Sequence, residues 1–293
     1  MSNLSYMQKA TDRGQLQIHV TTERGFFPIK DASIRLSYTG NPTEIIEELS
    51  TDISGQTAAV ELPAPPLEYS MEPSEFQPYS EYTIQVNASG YRPINISGIS
   101  VLPDKTSIQN VRMETATVEN PLERNIVITA NTLYGNFPPK IPEDEIKPMT
   151  ESGEIVLSRV VIPEYVIVHD GPPSDSSAND YYVRYRDYIK NVASSEIYAT
   201  WPDAALRANI LAIMSFTLNR VYTEWYRNKG YDFTITSSTA FDHKFVYGRN
   251  IFSNISNIVD EMFNSYLSRP NVRQPILTQY LSLIHISEPT RPY

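Results

Sequence analysis

Up to about Val111 the apolar positions recur every second residue in short runs. Leu16, Ile18 and Val20 form one run; Ile34, Leu36 and Tyr38, then Ala58, Val60 and Leu62, then Tyr82, Ile84 and Val86 form others. In an extended chain successive side chains point to opposite faces, so period two with one apolar face predicts half-buried strands. Ser54-Gly55, Pro63-Ala-Pro-Pro66, Ser89-Gly90 and Pro103-Asp104 separate the runs as turns. Short, regularly spaced strands of this kind predict a small β-sandwich over residues 14–115, preceded by an N-terminal segment, 1–13.

Residues 116–125 are polar and include Pro121, which marks a linker. Strands are predicted at 126–130, 155–161 and 165–168, with an extended, proline-rich stretch at 137–145. After a polar loop at 171–180 the period changes to three and four. Tyr188, Ile189, Val192, Ala193 and Glu196 fall along one side of a helix expected over 185–196. Thr200-Trp-Pro-Asp203 supplies an N-cap, a first-turn proline and an acid for the next helix. That helix runs to about Tyr226, with Leu206, Ile210, Ile213, Thr217 and Val221 as its apolar stripe. Gly230 suits a left-handed end, 233–236 reads as a strand and 253–267 as a third helix. The expected fold is an α+β multidomain chain, with an α+β domain over 126–280 after the sandwich.

The chain of 293 residues has room for two ordinary domains, and 41% apolar content gives each a core. A formal net charge of −10 without a basic run argues against nucleic acid and anionic membrane as partners. The absence of cysteine excludes disulfides, thiolate zinc sites and a cysteine nucleophile within these residues. Met1–Gly14 contains no apolar h-region, so no signal peptide is visible, and no apolar run reaches membrane-spanning length. The expected protein is soluble. Leu281–Tyr293 follows neither period, and its back-translation resembles a transposase-based sequencing adapter. This string is read as an assembly artefact, in which case the natural chain continues past Tyr280 and the 126–280 domain is incomplete.

Glu196 is the candidate for chemistry. A carboxyl group bordering an apolar seam between two helices holds its proton more firmly than in water, which suits a general acid near neutral pH. Taken alone, the position suits a structural glutamate at a helix end better than a catalytic one. The surrounding string is more specific. Asp187-Tyr-Ile-Lys-Asn-Val-Ala-Ser-Ser-Glu196, followed by Trp201-Pro-Asp-Ala-Ala-Leu-Arg-Ala208, resembles the signature of the stage II sporulation protein D family. Ile197, Arg207 and Asn209 stand where that signature has methionine, lysine and glutamine. Thr239-Ala-Phe-Asp242-His-Lys-Phe-Val-Tyr-Gly248 resembles the second motif, with His243 for a glutamine, Phe245 for a tyrosine and one added residue before the glycine.

The resemblance implies that Glu196 is the catalytic glutamate of a lytic transglycosylase or, as in some branches, part of an amidase enhancer. A single carboxylate suffices for the former, because the C6 hydroxyl of the muramic sugar is the nucleophile; no cofactor is required. Ser194, Ser195, Asp242, His243 and Tyr247 are then candidates to hydrogen-bond sugar or acetamido groups, with a loop or core histidine an equal reading for His243. Tyr198 and Trp201 are candidates to stack on a sugar face, with core packing an equal reading for Trp201. The spacing of His169, Asp170, Asp242 and His243 is not diagnostic of a metal site, and no metal is assigned.

Gly14-Gln-Leu-Gln-Ile18, Pro28-Ile-Lys-Asp-Ala32, Thr51-Asp-Ile-Ser-Gly55 and Gly90-Tyr91 resemble a carboxypeptidase regulatory-like, transthyretin-like β-sandwich. Such modules are structural or adhesive. The strings 133–145, 166–171 and 275–280, with the Glu196 helices, resemble the spore cortex-lytic enzymes of clostridia. This likeness implies an enzyme of the spore coat and cortex region, acting in germination on muramic-lactam peptidoglycan strands. It also implies an inactive precursor activated by a subtilisin-like germination protease, with the sandwich as a possible pro-region removable without loss of activity. The competing reading is a non-catalytic peptidoglycan-binding amidase enhancer or spore-coat structural module.

Overall fold

The computed structural model describes residues 12–73, 75–117, 122–131, 133, 138–144 and 157–278. The string Leu281–Tyr293 lies outside the described residues, as do parts of the N-terminal segment, the linker and the strand expected at 155–161. The fold is mixed α+β. In chain order the strands are β1 (Asp12–Thr22), β2 (Ser33–Tyr38), β3 (Asn41–Ser50), β4 (Val60–Ala64), β5 (Ser80–Asn87), β6 (Ile94–Val101), β7 (Thr106–Met113), β8 (Arg124–Val127), β9 (Tyr165–His169), β10 (Asp180–Arg184), β11 (Ile235–Thr236) and β12 (Ile251–Phe252). The helices are α1 (Glu68–Met71), α2 (Tyr185–Glu196), α3 (Asp203–Tyr222) and α4 (Ser253–Met262).

One compact unit takes the chain through Asn131 together with Ala199–Trp201 and Tyr247–Asn254. It holds two sheets, ordered β12-β7-β1-β4 and β3-β2-β5-β6-β8. Most of the alternating positions read from the sequence are its core: Leu16, Ile18, Ile34, Leu36, Ile84 and Val86 are fully buried, whereas of the run Ala58, Val60 and Leu62 only Leu62 is, because β4 starts at Val60 and Ala58 is exposed. Gly55 turns with a φ of +74°, and a Cβ there would lie 2.5 Å from the Val20 carbonyl oxygen, so the turn requires glycine. Two strands escape the alternation rule. β3 is an edge strand with a polar, mostly exposed sequence, held by backbone pairing to β2. β7 turns Ser107 and Gln109 inward, where their side chains bond the carbonyls of Ser100 (2.7 Å) and Gly248 (3.0 Å). An inward polar residue breaks the apolar period but is stable once paired.

β12 comes from inside the predicted 126–280 domain. It pairs antiparallel with β7, Ile251 opposite Ile108 and Phe252 opposite Ser107. Asn250 fixes its entry. Its side chain accepts the Ser100 N–H and donates to the Ser100 carbonyl, both at 3.0 Å in a buried setting. Trp201 also belongs here, donating its indole N–H to the Ser70 carbonyl at 2.9 Å. The β-rich unit is therefore closed by segments that follow it in sequence, and one cut in the linker does not release it whole.

The second unit contains the three-stranded sheet β10-β9-β11, α2, α3 and most of α4. β9 and α2 fall where the periodicity places them. β10 does not: the chain is extended over Asp180–Arg184, pairing antiparallel with β9, before it turns helical. α3 begins at Asp203, with Pro202 at its N-cap position and no side-chain cap, so Thr200 is not the cap. Its apolar stripe widens into full burial over 213–220, as befits a helix enclosed on all sides. Gly230, with a φ of +84°, caps the 3-10 turn Arg227–Lys229 that follows α3. Among the described residues no helix is long and apolar enough to cross a membrane.

Asn250→Ala should lower the unfolding free energy in urea by about 2 kcal/mol, because buried Ser100 backbone groups lose their partner. An unchanged midpoint would show that 247–254 does not complete the sheet. Deleting residues 1–119 should expose 247–254 to rapid limited proteolysis, since β12 loses β7; resistance equal to the parent would instead support a detachable N-terminal module.

Candidate active site

The site is built where the loop after β11 meets α2 and α3. Asp242 organises it. One of its carboxylate oxygens accepts from Arg220 Nε at 2.6 Å; the other accepts from the Tyr226 hydroxyl (2.6 Å) and from the backbone and hydroxyl of Thr236 (2.8 and 2.7 Å). Asp242 is 0% exposed. Arg220 carries two further bonds of 2.6 Å to Glu143 and one of 3.0 Å to the Phe241 carbonyl. Burial by itself weakens the guanidinium's hold on its proton, but Asp242 and Glu143 outweigh it and keep the group above its ordinary range. The Tyr226 phenol is pushed up by burial and then by the Asp242 charge, so it serves as a donor.

Residues 138–144 lie against this loop as a strap. Ile141 N–H bonds the Ala240 carbonyl at 2.9 Å, and the Lys140 ammonium bonds the Asp242 carbonyl. Burial draws Lys140 below the ordinary lysine range, against the opposing pull of Glu196 and Asp242.

Glu196 ends α2 and is 2% exposed. One of its oxygens accepts the Lys244 backbone N–H at 2.7 Å. One and a half turns earlier, Asn191 takes the same loop by both ends of its amide, accepting the Val246 N–H (3.0 Å) and donating to the Val246 carbonyl (2.8 Å). The helix thus grips the second motif at two points. Tyr188, earlier on the same helix, adds a further contact, its hydroxyl 3.1 Å from His243 Nδ1. Burial first, then the charges of Asp242 and Glu196, hold the Tyr188 phenol well above its usual range.

The structure brings Glu196, Ser194, Ser195, Tyr198, Asp242 and His243 into one unit and buries all of them. Ser195 bonds back to the Asn191 carbonyl within the helix, at 2.9 Å. Asp242 is committed to Arg220, Tyr226 and Thr236, which makes it an organiser of the loop. Trp201 and Tyr247 belong to the β-rich unit, where the Tyr247 hydroxyl accepts from Arg124 at 2.6 Å. A cleft of about 360 Å³ opens beside Arg220, walled by Ile141, Trp225, Tyr226, Tyr231 and Phe241. Its volume suits a small ligand. Lys140, Glu143, Asn191 and Arg220 were not singled out by sequence. Arg220 alone left a signal: it lies seven residues after Ile213 on a buried helix face, where a charge requires partners. Among the described residues no group of three or more His, Cys, Asp or Glu is placed to hold a metal ion.

Arg220→Met should cost about 3–5 kcal/mol in a urea titration, because Asp242 and Glu143 would stay buried without their cation. A loss below about 1 kcal/mol would show that the cluster does not hold the loop.

Comparison with solved structures finds low similarity. The Bacillus anthracis TIE protein is 17% identical over 36% of this chain and 17% of its own, with a TM-score of 0.25. The minor pilin GBS52 of Streptococcus agalactiae is 13% identical over 36% of this chain and 46% of its own, TM-score 0.26. Klebsiella pneumoniae 5-hydroxyisourate hydrolase is 16% identical over 34% of this chain and 86% of its own, TM-score 0.23. This chain thus spans less than half the length of the first two, and TM-scores at this level carry no argument about shared fold or function. No curated protein matches the chain significantly. Residues 178–261 match the model of the SpoIID family, described as stage II sporulation protein. The matched span takes in β10, α2, α3, the Asp242 loop and nearly all of α4, so this part of the chain carries a SpoIID-type domain.

Proposed function

We propose that the chain cleaves peptidoglycan glycan strands as a lytic transglycosylase of the spore cortex, with Glu196 as its single acid and base. The SpoIID-type domain supports a cell-wall role in sporulation. The observation that favours one-carboxylate chemistry is the state of Asp242. A hydrolase of the usual kind needs two carboxylates free to act on substrate or water. The acid that the second motif brings to this site is sealed, with both oxygens engaged by Arg220, Tyr226 and Thr236.

On this reading Glu196 gives its proton to the glycosidic oxygen beyond the muramic sugar as the C1–O bond breaks. The sugar's C6 hydroxyl then attacks C1 and returns its proton to the Glu196 carboxylate, closing a 1,6-anhydro ring. Lys244 N–H orients the carboxylate for both transfers, and Asn191 holds the loop that carries it. The resemblance to cortex-lytic enzymes supports a muramic-lactam substrate, a spore location and a precursor cut by a subtilisin-like germination protease. The β-rich unit supports a transthyretin-like positioning module. A second reading, a glycan-binding amidase enhancer, draws on the near-complete enclosure of Glu196: a carboxylate holding a backbone N–H also serves as a loop anchor.

Glu196→Gln separates the two. It keeps the shape but cannot shuttle the proton. Release of 1,6-anhydro-muropeptides from cortex peptidoglycan, followed by mass spectrometry, should fall at least about a hundredfold, with glycan binding retained. Parental release by the Gln variant would refute Glu196 as the acid, and no release from the parent itself would leave only the binding reading. Reducing-end products from the parent would point to hydrolysis.

A further inference from the structure

The cleft beside Arg220 has no part in the reaction proposed above. Ile141, Pro142 and Asp144 of the strap and Pro173 of the β9–β10 loop line it together with Trp225 and Tyr231, which follow α3. The first four precede residues 178–261, so the SpoIID-type domain supplies only part of its wall. All of it lies within the second unit. Its volume of about 360 Å³ falls in the range of small-ligand sites, roughly 300–1,000 Å³. Arg220 lines it too, but Nε, Nη1 and Nη2 already donate to Asp242, Glu143 and the Phe241 carbonyl, so this guanidinium does not recruit an anion. Glu143 and Asp144 stand against Arg220 and Lys229, which leaves the lining neutral. The Lys229 ammonium lies 3.1 Å from the centre of the Trp225 ring and holds the indole in place. Among the described residues neither the exposed Asp144 carboxylate nor the hydroxyl of half-buried Tyr231 has a hydrogen-bond partner. Ile141 is 47% exposed although its N–H is fixed to the Ala240 carbonyl, and Pro142 and Pro173 add further apolar surface.

We propose that this cleft is a subsite for an N-acetylated hexosamine of the glycan strand, apart from the bond that is cut. This rests on the reading that the chain acts on peptidoglycan strands. A neutral lining selects against phosphates and polyamines and suits an uncharged ligand. A pyranose has apolar C–H faces and a polar edge; the faces fit the aromatic walls, and the edge hydroxyls fit Asp144 and the Tyr231 hydroxyl. The acetamido methyl gives the aliphatic surface a partner, which a plain hexose lacks. The chain also ties the cleft to the candidate acid. Phe241 walls the cleft, and three residues further on the Lys244 N–H holds Glu196. Three residues of chain span at most about 11 Å, a distance that a strand of a few sugars covers. A strand held at both places dissociates less readily, because the second contact is intramolecular.

The test uses the full chain labelled with 5-fluorotryptophan, whose two tryptophans give two ¹⁹F resonances. That of Trp225 is the one lost in Trp225→Phe or, if this variant does not fold, the one kept in Trp201→Phe. The β-1,4-linked tetramer of N-acetylglucosamine should shift it saturably and leave the Trp201 resonance in place. The glucose tetramer, also neutral but without acetamido groups, should bind at least about tenfold more weakly. Asp144→Ala, a change at an exposed side chain, should weaken binding about tenfold, and Tyr231→Phe, which keeps the ring, should weaken it severalfold. On cortex peptidoglycan Asp144→Ala should raise KM about tenfold, with the effect in KM rather than kcat. No saturable shift of Trp225, equal affinity for the two tetramers, or parental affinity in Asp144→Ala overturns the proposal. The binding arm needs no cleavage. A saturable shift that depends on Asp144, beside a fully active Glu196→Gln protein, refutes Glu196 as the acid and leaves the subsite standing. Parental affinity and KM in Asp144→Ala, beside an inactive Glu196→Gln protein, do the reverse.

Discussion

The Asp242–Arg220 ion pair is the constraint around which the helical unit is arranged. Both side chains are out of water, at 0% and 1% exposure. Charges so placed are tolerated only when every lone pair and every N–H finds a partner. The structure meets that demand by drawing in four elements: Thr236 from the end of β11, Tyr226 from the turn after α3, Glu143 from the strap and the Phe241 carbonyl from the loop itself. The saturation of one carboxylate thus fixes the path of the second motif and, two residues on, the N–H that meets Glu196.

The same cluster accounts for the chemistry proposed. Among the named side chains Glu143, Asp242 and Glu196 are acids. Arg220 is bonded to the first two acids. Glu196 stands at the end of α2, buried and holding the Lys244 N–H. An acid in such a place can take up and release a proton without breaking the structural ion pairs. On the proposed reading, one carboxylate is locked for shape and the other transfers the proton.

The β-rich unit obeys a different constraint. Its sheets need backbone partners along β7, and the partner is β12, which arrives after α2 and α3 have been made. Asn250 and Arg249 bind backbone carbonyls of this unit, at Ser100 and Thr129. A unit closed by a segment so distant in sequence loses loop entropy on folding, and the cost is met by paired, buried polar groups.

Sequence alone determined the local elements whose side chains carry their own period. The alternating runs of β1, β2 and β5, the exact span of α2 and the burial of Glu196 on its face follow from which residues are apolar and how far apart they stand. The family-like strings also located Glu196 and Asp242 before any geometry was known. Tertiary structure decided what each one meets. Asp242 read as a sugar contact because its type and motif gave no sign of Arg220, Tyr226 and Thr236. Trp201 and Tyr247 stand near Glu196 and Asp242 in sequence, and only the structure assigned them to the β-rich unit. Lys140 sat in a proline-rich string without periodicity, so nothing local marked it. β3, β7 and β12 were unreadable for the same reason: backbone pairing and buried polar partners hold them, and neither leaves an apolar pattern. A one-dimensional pattern records which face of an element avoids water; it does not record which distant atom completes a hydrogen bond or balances a charge.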